Sequence, residues 1–153
     1  ELIVIGDGPE RSRLEAMAGP NVSLLGRQPR EAVQYYMQRA RALVYAAEED
    51  FGIVPVEAQA CGTPGIAYGK GGVRETVIPG ETGLFFRNQT AEALEQAVER
   101  LASVRERFVP GQIRAHAEKL SADRFREEFA AFIETSHLAF QRHGMVTDDH
   151  LFE

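Results

Sequence analysis

The sequence predicts an α/β fold, a parallel sheet with helices packed outside it. Four short apolar or β-branched runs, Leu2–Ile5, 22–25, 42–46 and Gly65–Tyr68, recur along the chain, each followed by turn residues and then a helical pattern. Strands that alternate with helices in this way are joined by crossovers, and crossovers lay strands parallel. At 153 residues, 44% hydrophobic and 26% charged, the chain has the size and composition of one globular core.

The first run ends in Gly6-Asp7-Gly8-Pro9 and leads into a helix reaching about Ala18, where Gly19-Pro20 stops it. The second ends at Gly26. Pro29 then opens a helix whose Val33, Tyr36, Met37 and Ala40 share one face. The third run precedes residues 48–65, a segment taken up below. Pro79-Gly80-Glu81-Thr82-Gly83 is a tight turn into a last short strand, Leu84-Phe85-Phe86. Thr90 has the side chain to cap a helix that carries Leu94, Ala97, Val98 and Leu101, and Pro110 starts another. Ser121 begins the longest helix, where Phe125, Phe129, Phe132, Ile133 and Phe140 form one apolar stripe that reads as packing surface. Residues 143–153 are polar and unpatterned, which predicts a disordered tail.

The balance of 17 Lys and Arg against 23 Asp and Glu gives a formal net charge of -6. Bulk charge therefore opposes nucleic acid or an anionic membrane as partner, and a phosphorylated ligand needs local cations. A single cysteine, Cys61, excludes an internal disulfide and a multi-cysteine metal site, and suits a reducing, cytoplasmic setting. His116, His137, His143 and His150 are scattered without ligand spacing to carboxylates, so no metal is expected. No apolar run approaches the roughly 18 residues of a membrane span. The chain opens at Glu1 directly into an apolar run, which reads as a piece of a longer protein whose preceding part is missing.

Residues 48–65 carry the most chemistry. Pro55 at the first position and Cys61-Gly62 at the end delimit a short helix, with Gly52 before it and Thr63-Pro64 after it. That places Val54 at the cap, without a side-chain oxygen, so the first-turn N–H groups are free to meet an anionic ligand group. Water or a neighbouring loop would satisfy them equally. Glu49 lies on the approach loop and Glu57 falls in the first helical turn. Carboxylates accept hydrogen bonds, which suits the hydroxyls of a sugar or ribose. The bland alternative is a solvated acidic loop at Glu48, Glu49 and Asp50, with Glu57 facing its own helix terminus.

Several segments together resemble one family. Glu49-Asp50-Phe51-Gly52, with Glu57-Ala58-Gln59-Ala60-Cys61-Gly62-Thr63-Pro64, is similar to the signature of the retaining, sugar-nucleotide-dependent glycosyltransferases that include sucrose synthase and bacterial mannosyltransferases. Gly6-Asp7-Gly8-Pro9, Asn21-Val22-Ser23-Leu24-Leu25-Gly26, Gly71-Gly72-x-x-Glu75 and Gly80-Glu81-Thr82-Gly83-Leu84 follow in that family's order. The resemblance implies the Rossmann-like, C-terminal half of a GT-B fold, with residues 1–142 forming a nucleotide-sugar-binding domain truncated on its N-terminal side. It implies that Glu49 is the catalytic candidate, bonding hydroxyls of the donor sugar, and that Glu57 holds the ribose. The amides of Phe51, Gly52 and Ile53 would meet the sugar or its phosphate. Gly6 and Gly8 would admit the diphosphate, and Arg27 would lie near the base.

The same resemblance implies no cofactor beyond the nucleoside diphosphate sugar, and an acceptor domain in cis that supplies the missing diphosphate-binding cations. The isolated chain is then expected to be inactive. The longer enzyme would be peripheral to the inner membrane, and the terminal helix would cross to the other domain or pair two copies. Tyr68-Gly69-Lys70 before the Gly-Gly pair and Asp50 after Glu49 resemble a mannosyltransferase subgroup, which points to GDP-mannose and to a glycan, lipid or small-molecule acceptor. Two alternatives stay open. Gly6-x-Gly8 after a strand suits an NAD-binding oxidoreductase domain, although Arg11 stands where that fingerprint needs a third glycine. A non-catalytic α/β interaction module would leave Glu49 and Glu57 as surface residues.

Overall fold

The computed structural model describes residues 1–144. The elements run β1 Leu2–Ile5, α1 Arg11–Met17, β2 Val22–Gly26, α2 Arg30–Arg39, β3 Leu43–Tyr45, α3 Ile53–Ala60 and β4 Gly65–Tyr68. They continue with α4 Val73–Thr76, β5 Gly83–Phe86, α5 Ala91–Ser103, α6 Pro110–Glu118 and α7 Ala122–His143, with a 3-10 turn at Arg105–Arg107. Every strand pairing is parallel, as the crossovers require. The expected single sheet is instead two: β1 pairs with β2, and β3, β4 and β5 form a separate three-stranded sheet. Short apolar runs identify strands and the helices between them set their parallel sense. Which edges meet is a non-local matter that such runs do not encode.

β4 explains where the core lies. It is the middle strand of its sheet, with Ile66 opposite both Val44 and Leu84. Ile66 and Ala67 point to opposite faces, as neighbours on a strand must. On one face Ile66, Leu84 and Phe86 pack with Ala97, Leu101, Phe108 and Ile113 from α5, α6 and the turn between them. On the other face Ala67 packs with Tyr45 and Val73. A strand covered on both faces needs no polar alternation, and Gly-Ile-Ala-Tyr has none. The β1–β2 half differs: α1 and α2 bury no residue. There Leu2, Val4, Leu14, Met17, Val22 and Leu24 line an open apolar groove of about 180 Å³.

The caps behave as the sequence predicts. Thr90 accepts a hydrogen bond from the Ala93 amide at the start of α5, and Ser121 accepts from Arg124 at the start of α7. Two expected faces need correction. In α5, Ala97 and Leu101 are buried but Val98 lies on the open side. In α7 the stripe of Phe125, Phe129, Phe132, Ile133 and Phe140 is exposed rather than packed, and the Phe125 and Phe129 rings stack on each other 5.6 Å apart. A 3.6-residue period shows that a helix has an apolar face; it does not show what meets that face. The helix ends at His143 with Gly144 as its C-cap, so the first two residues of the expected tail belong to the helix end, and the rest of that expectation lies outside the described residues.

Burial separates two classes of substitution. Ile113→Ala, at a fully buried site, should cost about 2–5 kcal/mol in denaturant unfolding. The double change Phe125→Ser and Phe129→Ser on the exposed stripe should cost under about 1 kcal/mol. Equal losses would mean that the stripe is core.

Candidate functional site

The loop after β3 and the start of α3 form the centre of the candidate site. α3 begins two residues earlier than its proline suggests: Gly52, with φ of 81° in the left-handed region, is the N-cap in place of Val54. Glycine takes that conformation without strain, so Ile53 and Val54 enter the helix and Pro55 falls at its third position. The cap is without a side-chain hydrogen bond, as expected. Glu57 is consequently past the first turn rather than in it. Phe51, Ile53 and Glu57 are exposed and Gly52 is buried beneath them. Glu49 is exposed on the loop that leads in.

A second element closes on this loop. Gly71 and Gly72 precede α4, and the Gly72 amide donates to the Glu49 carbonyl at 2.8 Å. A Cβ on Gly71 would lie 2.4 Å from the Glu49 carbonyl oxygen, and one on Gly72 2.0 Å from that of Asp50. Two backbones touch here, which only glycine permits. Beside the contact lies a cleft of about 560 Å³ lined by Asp50, Gly71, Gly72, Arg74 and Glu75. Its volume is that of ordinary small-ligand sites. Tyr45, the last residue of β3 and the start of the same loop, is buried at 9% exposed. Its hydroxyl makes no hydrogen bond. Burial first and the nearby Glu49 carboxylate second push the phenol up to about 12.

Gly6, Gly8 and Arg27 form a separate group at the carboxyl ends of β1 and β2, joined by the Gly6 amide donating to the Gly26 carbonyl at 2.9 Å. A Cβ on Gly6 or Gly8 would meet nothing within 4 Å, so the space above both is open. No hydrogen bond or ion pair among the described residues links this group to Glu49 or Glu57. Both groups nevertheless lie at the carboxyl ends of parallel strands, where open α/β sheets bind ligands.

The structure also sorts the cations. Arg11 pairs with Glu15 and Asp7, Arg13 with Glu10, and Lys70 with Glu48 at 3.0 Å. Arg27 and Arg74 have no such pair among the described residues, and Arg74 lines the cleft. Asp50 and Glu75, both within the motif segments, line the cleft with Arg74, which the motif pattern does not single out. The signal for Arg74 is positional: it follows a Gly-Gly-Val step. Cys61 is half-buried at the end of α3, and burial pushes its thiol above the ordinary range, away from nucleophilic chemistry. Among the described residues no three His, Cys, Asp or Glu side chains are grouped to hold a metal, and no helix is long and apolar enough to cross a membrane.

Parallel strands joined by crossover helices define an α/β domain of the GT-B fold class. Residues 1–121 match the family of glycosyl transferases group 1, and the chain belongs to that family. It is 37% identical over 95 residues to a D-inositol 3-phosphate glycosyltransferase of Rhodococcus erythropolis, an overlap of 61% of this chain and 22% of that protein. It is 34% identical over 100 residues to an uncharacterised glycosyltransferase of Methanocaldococcus jannaschii, covering 62% of this chain and 28% of that one. The chain thus spans about a quarter of the length of these relatives. Among solved structures, Anabaena HepE in complex with UDP superposes with a TM-score of 0.72 at 21% identity, over 86% of this chain and 40% of HepE.

Two measurements test the site's construction. The folded phenol of Tyr45 ionises later than an unfolded one, so its contribution is intact below about pH 10 and fades as pH rises toward 12. Tyr45→Phe should remove that alkaline limb, worth at most about 3 kcal/mol, and tyrosinate absorbance should show one of the four tyrosines titrating late. Gly72→Ala should cost about 1–3 kcal/mol in unfolding, with chemical-shift changes centred on residues 49–51. An unperturbed loop would contradict the backbone contact.

Proposed function

We propose that the chain is the donor-binding domain of a retaining glycosyltransferase, holding a nucleoside diphosphate sugar while its hexose passes to an acceptor bound by the rest of the enzyme. The observation that carries this is convergence: Glu49, the uncapped start of α3 and the glycine end of α4 meet at the carboxyl ends of β3 and β4 beside the cleft. Family membership and the likeness to HepE, solved with UDP and with UDP and glucose, support the same reading.

In this reading Glu49 accepts hydrogen bonds from hydroxyls of the donor sugar and Glu57 from the ribose. The amides at Phe51, Gly52 and Ile53 stand at the positive end of α3 and receive phosphate or sugar oxygens. Gly6 and Gly8 leave room for the diphosphate, Arg27 lies toward the base, and Arg74 adds a cation that the motifs do not announce. As the glycosidic bond breaks, positive charge grows on the sugar and negative charge on the departing diphosphate. Fixed donors aimed at that oxygen stabilise the transition state. Because the chain carries net charge -6, the main diphosphate cations belong to the rest of the enzyme, and the domain alone binds weakly and does not turn over.

The resemblance carried by Tyr68-Gly69-Lys70 and by Asp50 after Glu49 favours GDP-mannose, and Lys70 is engaged there by Glu48. UDP-glucose is the competing donor, on the HepE precedent. The relatives named for D-inositol 3-phosphate make a small phosphorylated alcohol the first acceptor to try in the longer protein.

Calorimetric titration of GDP, UDP, ADP and their sugar conjugates into the chain decides among these. One nucleotide series should bind, and Glu57→Ala should weaken it roughly ten-fold or more. Glu49→Gln should erase any preference for the sugar conjugate over the bare nucleotide. Binding of NAD alone, or of nothing, would sink the assignment.

A further inference from the structure

Two polar side chains from two different helices meet at one backbone carbonyl of a third. Gln59 on α3 is fully buried, and its Nε2 donates to the Thr76 carbonyl at 2.9 Å. His116 on α6 places its Nε2 3.1 Å from the same oxygen. A carbonyl only accepts, so that ring nitrogen carries the proton. Thr76, 1% exposed, is the last residue of α4. Gln59 Oε1, Thr76 Oγ1 and His116 Nδ1 are left buried without partners.

An apolar side chain at position 59, beside the fully buried Ala58, would fill the space without the unpartnered Gln59 Oε1. What the polar groups add is direction. Two donors from different helices pin one end of α4. Its other end is the Gly71-Gly72 step, where the Gly72 amide holds the Glu49 carbonyl. Val73, between the two ends, is fully buried in the core. α4 is only four residues long, so displacement at Thr76 reaches Gly72 with little loss.

We infer that Gln59 and His116 are positioning residues of the donor site, acting through Thr76 and α4 on the loop that carries Glu49. This rests on the donor-site reading above for its functional half; the mechanical half stands without it.

The test uses Gln59→Met and His116→Leu, which remove a donor each, and His116→Gln, which keeps one at similar reach. Hydrogen exchange at the Gly72 amide is compared with that at core amides of β4. In the first two variants Gly72 should exchange at least about ten-fold faster relative to β4, with His116→Gln close to wild type. If Gly72 and β4 accelerate together, or Gly72 is unmoved in both variants, the groups merely fill the core and the inference is overturned. The same variants are titrated with GDP-mannose and UDP-glucose, with roughly ten-fold weaker binding expected of whichever ligand the wild type takes. A loosened Gly72 with unchanged affinity also overturns it. If the wild type binds neither sugar nucleotide, the donor reading fails separately, and exchange at Gly72 alone decides whether the strut exists.

Discussion

The contact on which the site depends is one of backbone against backbone. Gly71 and Gly72 lie so close to the carbonyls of Glu49 and Asp50 that neither can carry a Cβ, and the Gly72 amide bonds the Glu49 carbonyl. This fixes the loop after β3 from above. The loop leaves β3 at Tyr45, whose buried ring packs with Ala67 and Val73. A carboxylate on an exposed loop would ordinarily sample many positions. Here the loop is clamped, and the Glu49 carboxylate keeps only its side-chain freedom.

The clamp works because α3 is itself immobilised. Its carboxyl end abuts α6: the Arg114 guanidinium donates to the Ala60 carbonyl, and a Cβ on Gly62 would strike Pro110. Pro55, Ala58 and Gln59 face inward. The Thr63 hydroxyl donates to the Met37 carbonyl, tying α2 to the same joint. A helix fixed along its length can leave its first amides unpartnered and still hold them in place, which is the condition for binding an anion without reorganisation. The electrostatics agree with the packing. Arg11, Arg13 and Lys70 are spent on local carboxylates, while Arg74 lines the cleft.

The two halves of the chain differ sharply in how much each buries. β3, β4 and β5 with α3, α5 and α6 form a closed core on both faces of a sheet. β1, β2, α1 and α2 leave Leu2, Leu14 and Met17 open to solvent. The group formed by Gly6, Gly8 and Arg27 therefore rests on the less consolidated half, and the group around Glu49 on the firm one.

Much of this was legible in the residues. The strands, their parallel sense, the Thr90 and Ser121 caps, and the uncapped helix after Glu49 follow from local chemistry: β-branched runs, crossover helices, and side-chain oxygens present or absent at a terminus. The motif residues Glu49, Phe51, Gly52 and Ile53 were placed together because they are neighbours in sequence. What lay beyond reach was everything decided between distant segments. The sheet divided between β2 and β3, and the α7 stripe met no partner among the described residues. Arg74 became the cation of a cleft, and Gln59 with His116 the anchor of a short helix. Each of these depends on contacts between residues far apart in the chain, such as 59 with 76 and 76 with 116. The sequence by itself determined which elements form and which residues can do chemistry, because those are properties of short segments. Only the tertiary structure decided which of them share a cleft and what holds them there, because close approach is settled by packing across the whole core.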